Sequence, residues 1–162
     1  MRTLTTRAGG TARFTLETPD DTAELGRKIA AVLRPGMTLL LRGALGAGKT
    51  TLVREICGAL GWHKTSSPSF AIVNEYDRAE IPVAHADLYR LENVDARDFG
   101  FDEYLDDGWV LIIEWPEHLA RGDFDELWRC SMSVSGTRRR FDVSARGKTA
   151  EEALSRLEKL CP

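Results

Sequence analysis

The chain is poor in the residues that build metal or disulfide scaffolds. Its cysteines, Cys57, Cys130 and Cys161, are odd in number and widely spaced. They form neither a disulfide framework nor a CxxC-type zinc pattern, and they read as reduced thiols of a cytoplasmic protein. Three histidines in 162 residues offer no metal cluster. Long apolar runs are also missing. Residues 110–113 form one of the longest, and the first twenty residues contain no apolar core of a secretory leader, so secretion and membrane spanning are disfavoured. Neither sign of charge dominates. With 22 Lys+Arg against 25 Asp+Glu, a formal net charge of −3, the whole surface is not a nucleic-acid footprint. No internal repeat, linker or low-complexity stretch divides the sequence, and residues 1–162 read as one domain. That length buries enough core to need no covalent staple.

What is present is a pattern of alternating strands and helices. Residues 13–18 alternate, with Phe14 and Leu16 on one face, as a half-buried strand does. Thr18-Pro19-Asp20-Asp21 then supplies a capping hydroxyl, a proline at the first helical position and acids in the first turn. Leu25, Ile29 and Val32 continue at helical spacing until Pro35-Gly36. Residues 37–41 form a continuous run that is apolar but for Thr38, as in a strand covered on both faces. After a glycine-rich turn, Leu52, Val53, Ile56 and Leu60 lie on one helical face, and Gly61 stands where a C-terminal cap belongs. Residues 70–76 and 81–85 read as a hairpin around Asp77-Arg78-Ala79-Glu80. An acidic, helical or irregular stretch leads to a second apolar strand, 109–113, ended by Glu114-Trp115-Pro116. Residues 129–135 and 140–145 alternate around Gly136-Thr137-Arg138 as another hairpin, and 149–160 closes as a helix. The expected fold is a single α/β domain with a mixed, mostly parallel sheet flanked by helices and a C-terminal hairpin and helix.

The glycine-rich turn carries the chemistry. Residues 43–50, GALGAGKT, match GxxxxGK[ST] between a strand and a helix, the context this motif requires. Gly43, Gly46 and Gly48 let the backbone of Leu45 and Ala47 curl so that successive N–H groups face phosphate oxygens, and the new helix adds its positive end. Lys49 would meet the terminal phosphates, and the Thr50 hydroxyl would supply one oxygen to Mg²⁺, with phosphate, water and a distant carboxylate as the other ligands. A glycine turn that happens to precede a lysine is the plain alternative, and the strand–loop–helix context makes it rarer.

Two carboxylates are candidates to complete such a site. Glu114 ends the apolar strand 109–113, where a metal-holding acid would stand, with Glu in place of the commoner Asp. Asp87, at the end of Val83-Ala84-His85-Ala86-Asp87, is either a metal-bound or water-orienting carboxylate or the cap of the turn that follows. His85 reads as a structural histidine. Arg138-Arg139-Arg140 lies on a hairpin tip in a basic region, 128–148, after an acidic one, 87–126. Such polarity is usually a solvated surface, but these arginines could reach ATP phosphates, with Arg138 as the nucleotide contact, a partner's acidic face or, after these, tRNA. The guanine-reading NKxD motif is absent, so ATP is the expected nucleotide. A small-molecule kinase remains a competitor, as does a nucleotide-sensing module without turnover.

GALGAGKTTLVREICGALG, SPSFAIVNEY, HADLYRL and IIEWPEH, in that order, resemble the TsaE family, the ATPase component of bacterial tRNA threonylcarbamoyladenosine biosynthesis; residues 13–146 are covered. The resemblance implies an ATPase that binds Mg²⁺ and works with the TsaD and TsaB proteins, and so with tRNA only indirectly. Its ATP cycle would reset the transferase complex between turnovers. Carried onto this sequence, the family's phosphate loop falls on Gly43 to Thr51, its Mg²⁺ ligands on Thr50 and Glu114, and its functional aspartate on Asp87. The switch-like SPTF segment becomes Ser67-Pro68-Ser69-Phe70, with Ser69 where threonine is usual and a hydroxyl retained. Trp115 matches the EWP motif, either packing under the strand end or sensing the nucleotide or a partner. With no obvious arginine finger in the chain, the intrinsic rate is expected to be slow and raised by partners.

Overall fold

The computed structural model describes residues 2–6, 11–64 and 71–161. Strands β1 (Arg2–Thr6) and β2 (Thr11–Leu16) are followed by helix α1 (Pro19–Val32), strand β3 (Thr38–Arg42) and helix α2 (Lys49–Ala59). The hairpin β4 (Val73–Tyr76) and β5 (Val83–Asp87) comes next. A short β6 (Val94–Asp95) and α3 (Phe101–Asp106) lead to β7 (Val110–Glu114), β8 (Leu119–Arg121), the hairpin β9 (Leu127–Ser135) and β10 (Arg138–Arg146), and α4 (Lys148–Leu160).

Eight strands form one mixed sheet in the order β1-β2-β10-β9-β3-β7-β5-β4. Its centre, β9-β3-β7-β5, is parallel. The flanking pairs are antiparallel. β6 and β8 pair separately. The expected α/β architecture is therefore present, with the wholly buried strand β7 next to β3 as the two apolar runs required.

Two clusters of buried side chains lie on opposite faces. Helices α1, α2 and α4 cover the face built by Phe14, Leu39, Leu41, Ile112, Trp128 and Phe141. Leu111, Ile113, Phe101 and Phe124 fill the other face near β5 and β7. Over β2 and the middle of β9 and β10 that second face carries mostly polar side chains that alternate with buried ones, as antiparallel strands with one wet face do.

Local chemistry sets the boundaries. Thr18 caps α1: its side chain accepts from the Asp21 N–H while the Asp21 carboxylate accepts from the Thr18 N–H. Gly136, at φ +61°, turns the two-residue connection between β9 and β10. Gly26 allows α1 to cross α2 closely, because a Cβ there would stand 2.5 Å from the Glu55 Cβ. Trp128, fully buried in β9, donates its indole N–H to the Ala150 carbonyl at 2.8 Å and ties the sheet to α4.

Candidate functional site

The phosphate loop joins β3 to α2, and the parallel pairing of β3 with β7 places Leu41 opposite Glu114. Parallel pairing of β5 with β7 places Asp87 opposite the same residue. Three strand ends thus deliver the loop and both carboxylates to one edge of the sheet, the carboxyl end at which open α/β sheets hold their ligands.

The loop itself is held by backbone geometry. Gly43 comes so near β9 that a Cβ would meet the Met132 carbonyl oxygen at 2.5 Å, and Gly48, at φ +104°, opens α2 in a left-handed conformation. No side chain caps α2, so the first-turn N–H groups keep their capacity for an anion. Ala47 is buried beneath the loop and Leu45 stands 76% exposed on it.

Lys49 is 4% exposed. Its Nζ donates to the carbonyls of Gly43 at 2.7 Å and Ala44 at 3.2 Å and lies 4.2 Å from the centre of the Trp115 ring. Burial lowers its pKa, and the nearby carboxylates of Glu114, Asp87 and Glu117 act in the opposite sense. Trp115 holds this place with a left-handed backbone, φ +59°, unusual for a bulky residue. Tyr89 packs on it with ring centres 4.9 Å apart.

The Thr50 hydroxyl donates to both carboxylate oxygens of Glu114, at 2.8 and 3.0 Å. Behind it, His85 Nε2 lies 2.9 Å from Glu114 Oε1, and the Tyr76 hydroxyl lies 3.3 Å from His85 Nδ1. Asp87 Oδ1 accepts from the Tyr89 N–H at 3.0 Å, a local turn, and the residue lines the cavity.

Leu45, Gly46, Gly48, Lys49, Thr50, Thr51, Asp87, Glu114 and Trp115 line one cavity of about 410 Å³, joined by Tyr89, Arg90 and Arg139. Arg138 does not line it. Its guanidinium faces Glu17 at 3.5 Å on the opposite side of β10, whereas the Arg139 Nε would lie 3.4 Å from a Cβ at Gly48. The parity of Phe141 and Val143, both buried against the helices, would have assigned Arg139 to this side. Ser67 and Ser69 lie outside the described residues. A second cavity of similar size, on the polar face of the sheet, includes Arg42, Arg129 and Asp142 but none of the loop residues that surround Lys49.

Among the described residues no three His, Cys, Asp or Glu side chains form a metal cluster. The donor set of a hydroxyl, one buried carboxylate and Asp87 instead suits a hard divalent cation that takes its remaining ligands from phosphates and water. Orphan N–H groups and a buried ammonium suit the phosphates. Among the described residues, no helix is long and apolar enough to cross a membrane.

Comparison with known proteins converges on one family. A family profile described as "Threonylcarbamoyl adenosine biosynthesis protein TsaE" matches residues 16–141. The tRNA threonylcarbamoyladenosine biosynthesis protein TsaE of Aquifex aeolicus is 40% identical over 105 residues, 63% of this chain and 74% of that protein. The protein of the same name from Streptomyces coelicolor is 37% identical over 134 residues, 80% and 83% of the two chains. The match to its Bacillus subtilis counterpart, 39% identical, spans 60% of this chain and 61% of the relative. The crystal structure of Bacillus subtilis YdiB superposes with a TM-score of 0.76 at 26% identity, covering 96% of this chain and 99% of that one.

Proposed function

This chain belongs to the TsaE family, and on that premise we propose that it is a Mg²⁺-dependent ATPase supporting threonylcarbamoyladenosine modification of tRNA. The observation that carries the reading is the hydrogen bond from Thr50 to Glu114 across the mouth of an uncapped helix. It joins the two side chains that a phosphate-loop enzyme needs at its metal.

Mg²⁺, when bound, neutralises charge on the phosphates and draws electron density from the bond that breaks. The chain's own residues do the rest. The backbone N–H groups of Gly46 to Thr51 hold the phosphate oxygens, and Lys49 turns its ammonium from the loop carbonyls towards them. Thr50 and Glu114 ligate the metal directly or through its water. Asp87, across the cavity, orients the attacking water or a metal-bound one. Arg139 extends from β10 over the loop and adds positive charge beside Gly48. Trp115 walls the cavity and reports the state of Lys49, while Ser67 and Ser69 are assigned to sensing the terminal phosphate.

The protein's turnover would be slow alone and raised by the TsaB–TsaD transferase complex in the cytoplasm, which its ATP cycle resets, with tRNA contacted only through that complex. Phosphate release from Mg·ATP, measured alone and with TsaB–TsaD, tests this reading with Lys49→Ala as the blank. Stimulation that disappears in the variant supports it. Absence of stimulation, with phosphate passing instead to a small hydroxylated acceptor, would establish a kinase.

A further inference from the structure

Behind the Thr50–Glu114 pair lies a buried polar chain that the proposed hydrolysis does not by itself require. Tyr76, His85 and Glu114 are 3%, 0% and 2% exposed, and they come from β4, β5 and β7. A polar side chain buried to this degree needs hydrogen-bond partners among its neighbours. Only one arrangement at Nε2 satisfies it. A carboxylate accepts and cannot donate, so the 2.9 Å contact between His85 Nε2 and Glu114 Oε1 requires the proton to be on Nε2. In the neutral ring Nδ1 is then the acceptor, and the hydroxyl of Tyr76 stands 3.3 Å away to donate to it.

Thr50 alone does not distinguish the two oxygens of Glu114. Its hydroxyl is shared between both of them, at 2.8 and 3.0 Å. His85 contacts Oε1 only. We propose that His85, held by Tyr76, is a positioning residue that pins Oε1 of Glu114 and thereby presents Oε2 to the metal and its water. The inference rests on the Mg·ATP reading above and adds an outer partner to its metal-binding carboxylate. Such partners of ligating groups contribute roughly 10–100-fold in metal affinity.

The test separates metal binding from nucleotide binding. A fluorescent ATP analogue is titrated with and without Mg²⁺ into the wild-type protein, His85→Gln, His85→Leu and Tyr76→Phe, with thermal melting as the check of folding. A glutamine amide can donate from near the position of Nε2, and leucine cannot donate at all. His85→Leu should raise the Mg²⁺ concentration for half-maximal effect about 10–100-fold and leave Mg²⁺-free nucleotide affinity unchanged, and His85→Gln should restore most of the loss. If His85→Leu does not fold, Tyr76→Phe must show a smaller rise in the same direction. A long-range ¹H–¹⁵N spectrum of the wild-type protein should show His85 protonated on Nε2.

An unchanged Mg²⁺ requirement in folded His85→Leu, or in Tyr76→Phe where that variant must decide, would overturn the inference. So would an unprotonated Nε2. A wild-type protein that binds nucleotide with no response to Mg²⁺ would instead overturn the underlying Mg·ATP reading, and the inference with it.

Discussion

Thr50 and Glu114 are 64 positions apart in sequence and share a hydrogen bond of 2.8 Å at the mouth of the cavity. Two side chains joined in this way should not contribute independently. Thr50→Ala and Glu114→Gln are each expected to lower phosphate release about a hundredfold. The double variant should be little worse than the poorer single one. Steady-state rates at saturating nucleotide check this, and additive losses would show that the two side chains serve separate steps.

Arg139 and Arg138 are neighbours with different surroundings. Arg139→Ala should raise the Kd for nucleotide several-fold, since it removes a charge beside Gly48. Arg138→Ala removes only an exposed pair with Glu17, a contact of the kind that contributes about 0–1 kcal/mol to stability, and should have the smaller effect on binding. Calorimetric titration of both variants decides between them.

The contrast between these arginines shows what the sequence can and cannot reveal. Gly43 to Thr50 was legible because the loop motif is local and its flanks are a buried strand and an amphipathic helix. Glu114 was legible because an apolar strand ends on it. The side of a strand on which an arginine falls is also written locally, in the alternation through Phe141 and Val143, but register between distant strands is not. The meeting of His85 with Glu114 depends on β5 lying beside β7, and nothing near either residue announces it. The same limit hides β1, which pairs only with β2 among the described strands, and the very short β6 and β8, which carry too few residues to show a period.

Gly26 is expected to be intolerant of any side chain. A methyl group there would overlap the Glu55 Cβ at 2.5 Å, so Gly26→Ala must push α1 away from α2. Overpacking of this kind costs about 1–3 kcal/mol, more than the helix propensity gained from alanine, about 1 kcal/mol. Urea unfolding should show a lower midpoint with an unchanged slope. A rise in stability would mean that the helices part without cost.

The three cysteines are all buried, so a thiol reagent should label them only as the protein unfolds. Burial pushes the Cys130 thiol well above its ordinary value of 9.0. The unfolded chain therefore loses this proton at a lower pH than the folded one, and stability should fall as pH rises past about 9. Denaturant midpoints between pH 7 and 10, compared with those of Cys130→Ala, isolate the contribution. A Cys130→Ala variant with the same slope against pH would assign the effect elsewhere.

The pairing of Phe14 with Phe141 has a meaning for synthesis as well as for stability. β2 leaves the ribosome well before its partner β10. At about 5–20 residues per second, the interval is about 6–25 seconds, during which Phe14 lacks Phe141 and β2 has no strand to join it to β9. The nascent chain must therefore wait with part of its interior uncovered, a period in which a holding chaperone would find its substrate. The last hairpin is then the latch between β3 and the strands at one end of the sheet: until it is made, neither β1 and β2 nor Arg139 can take their places.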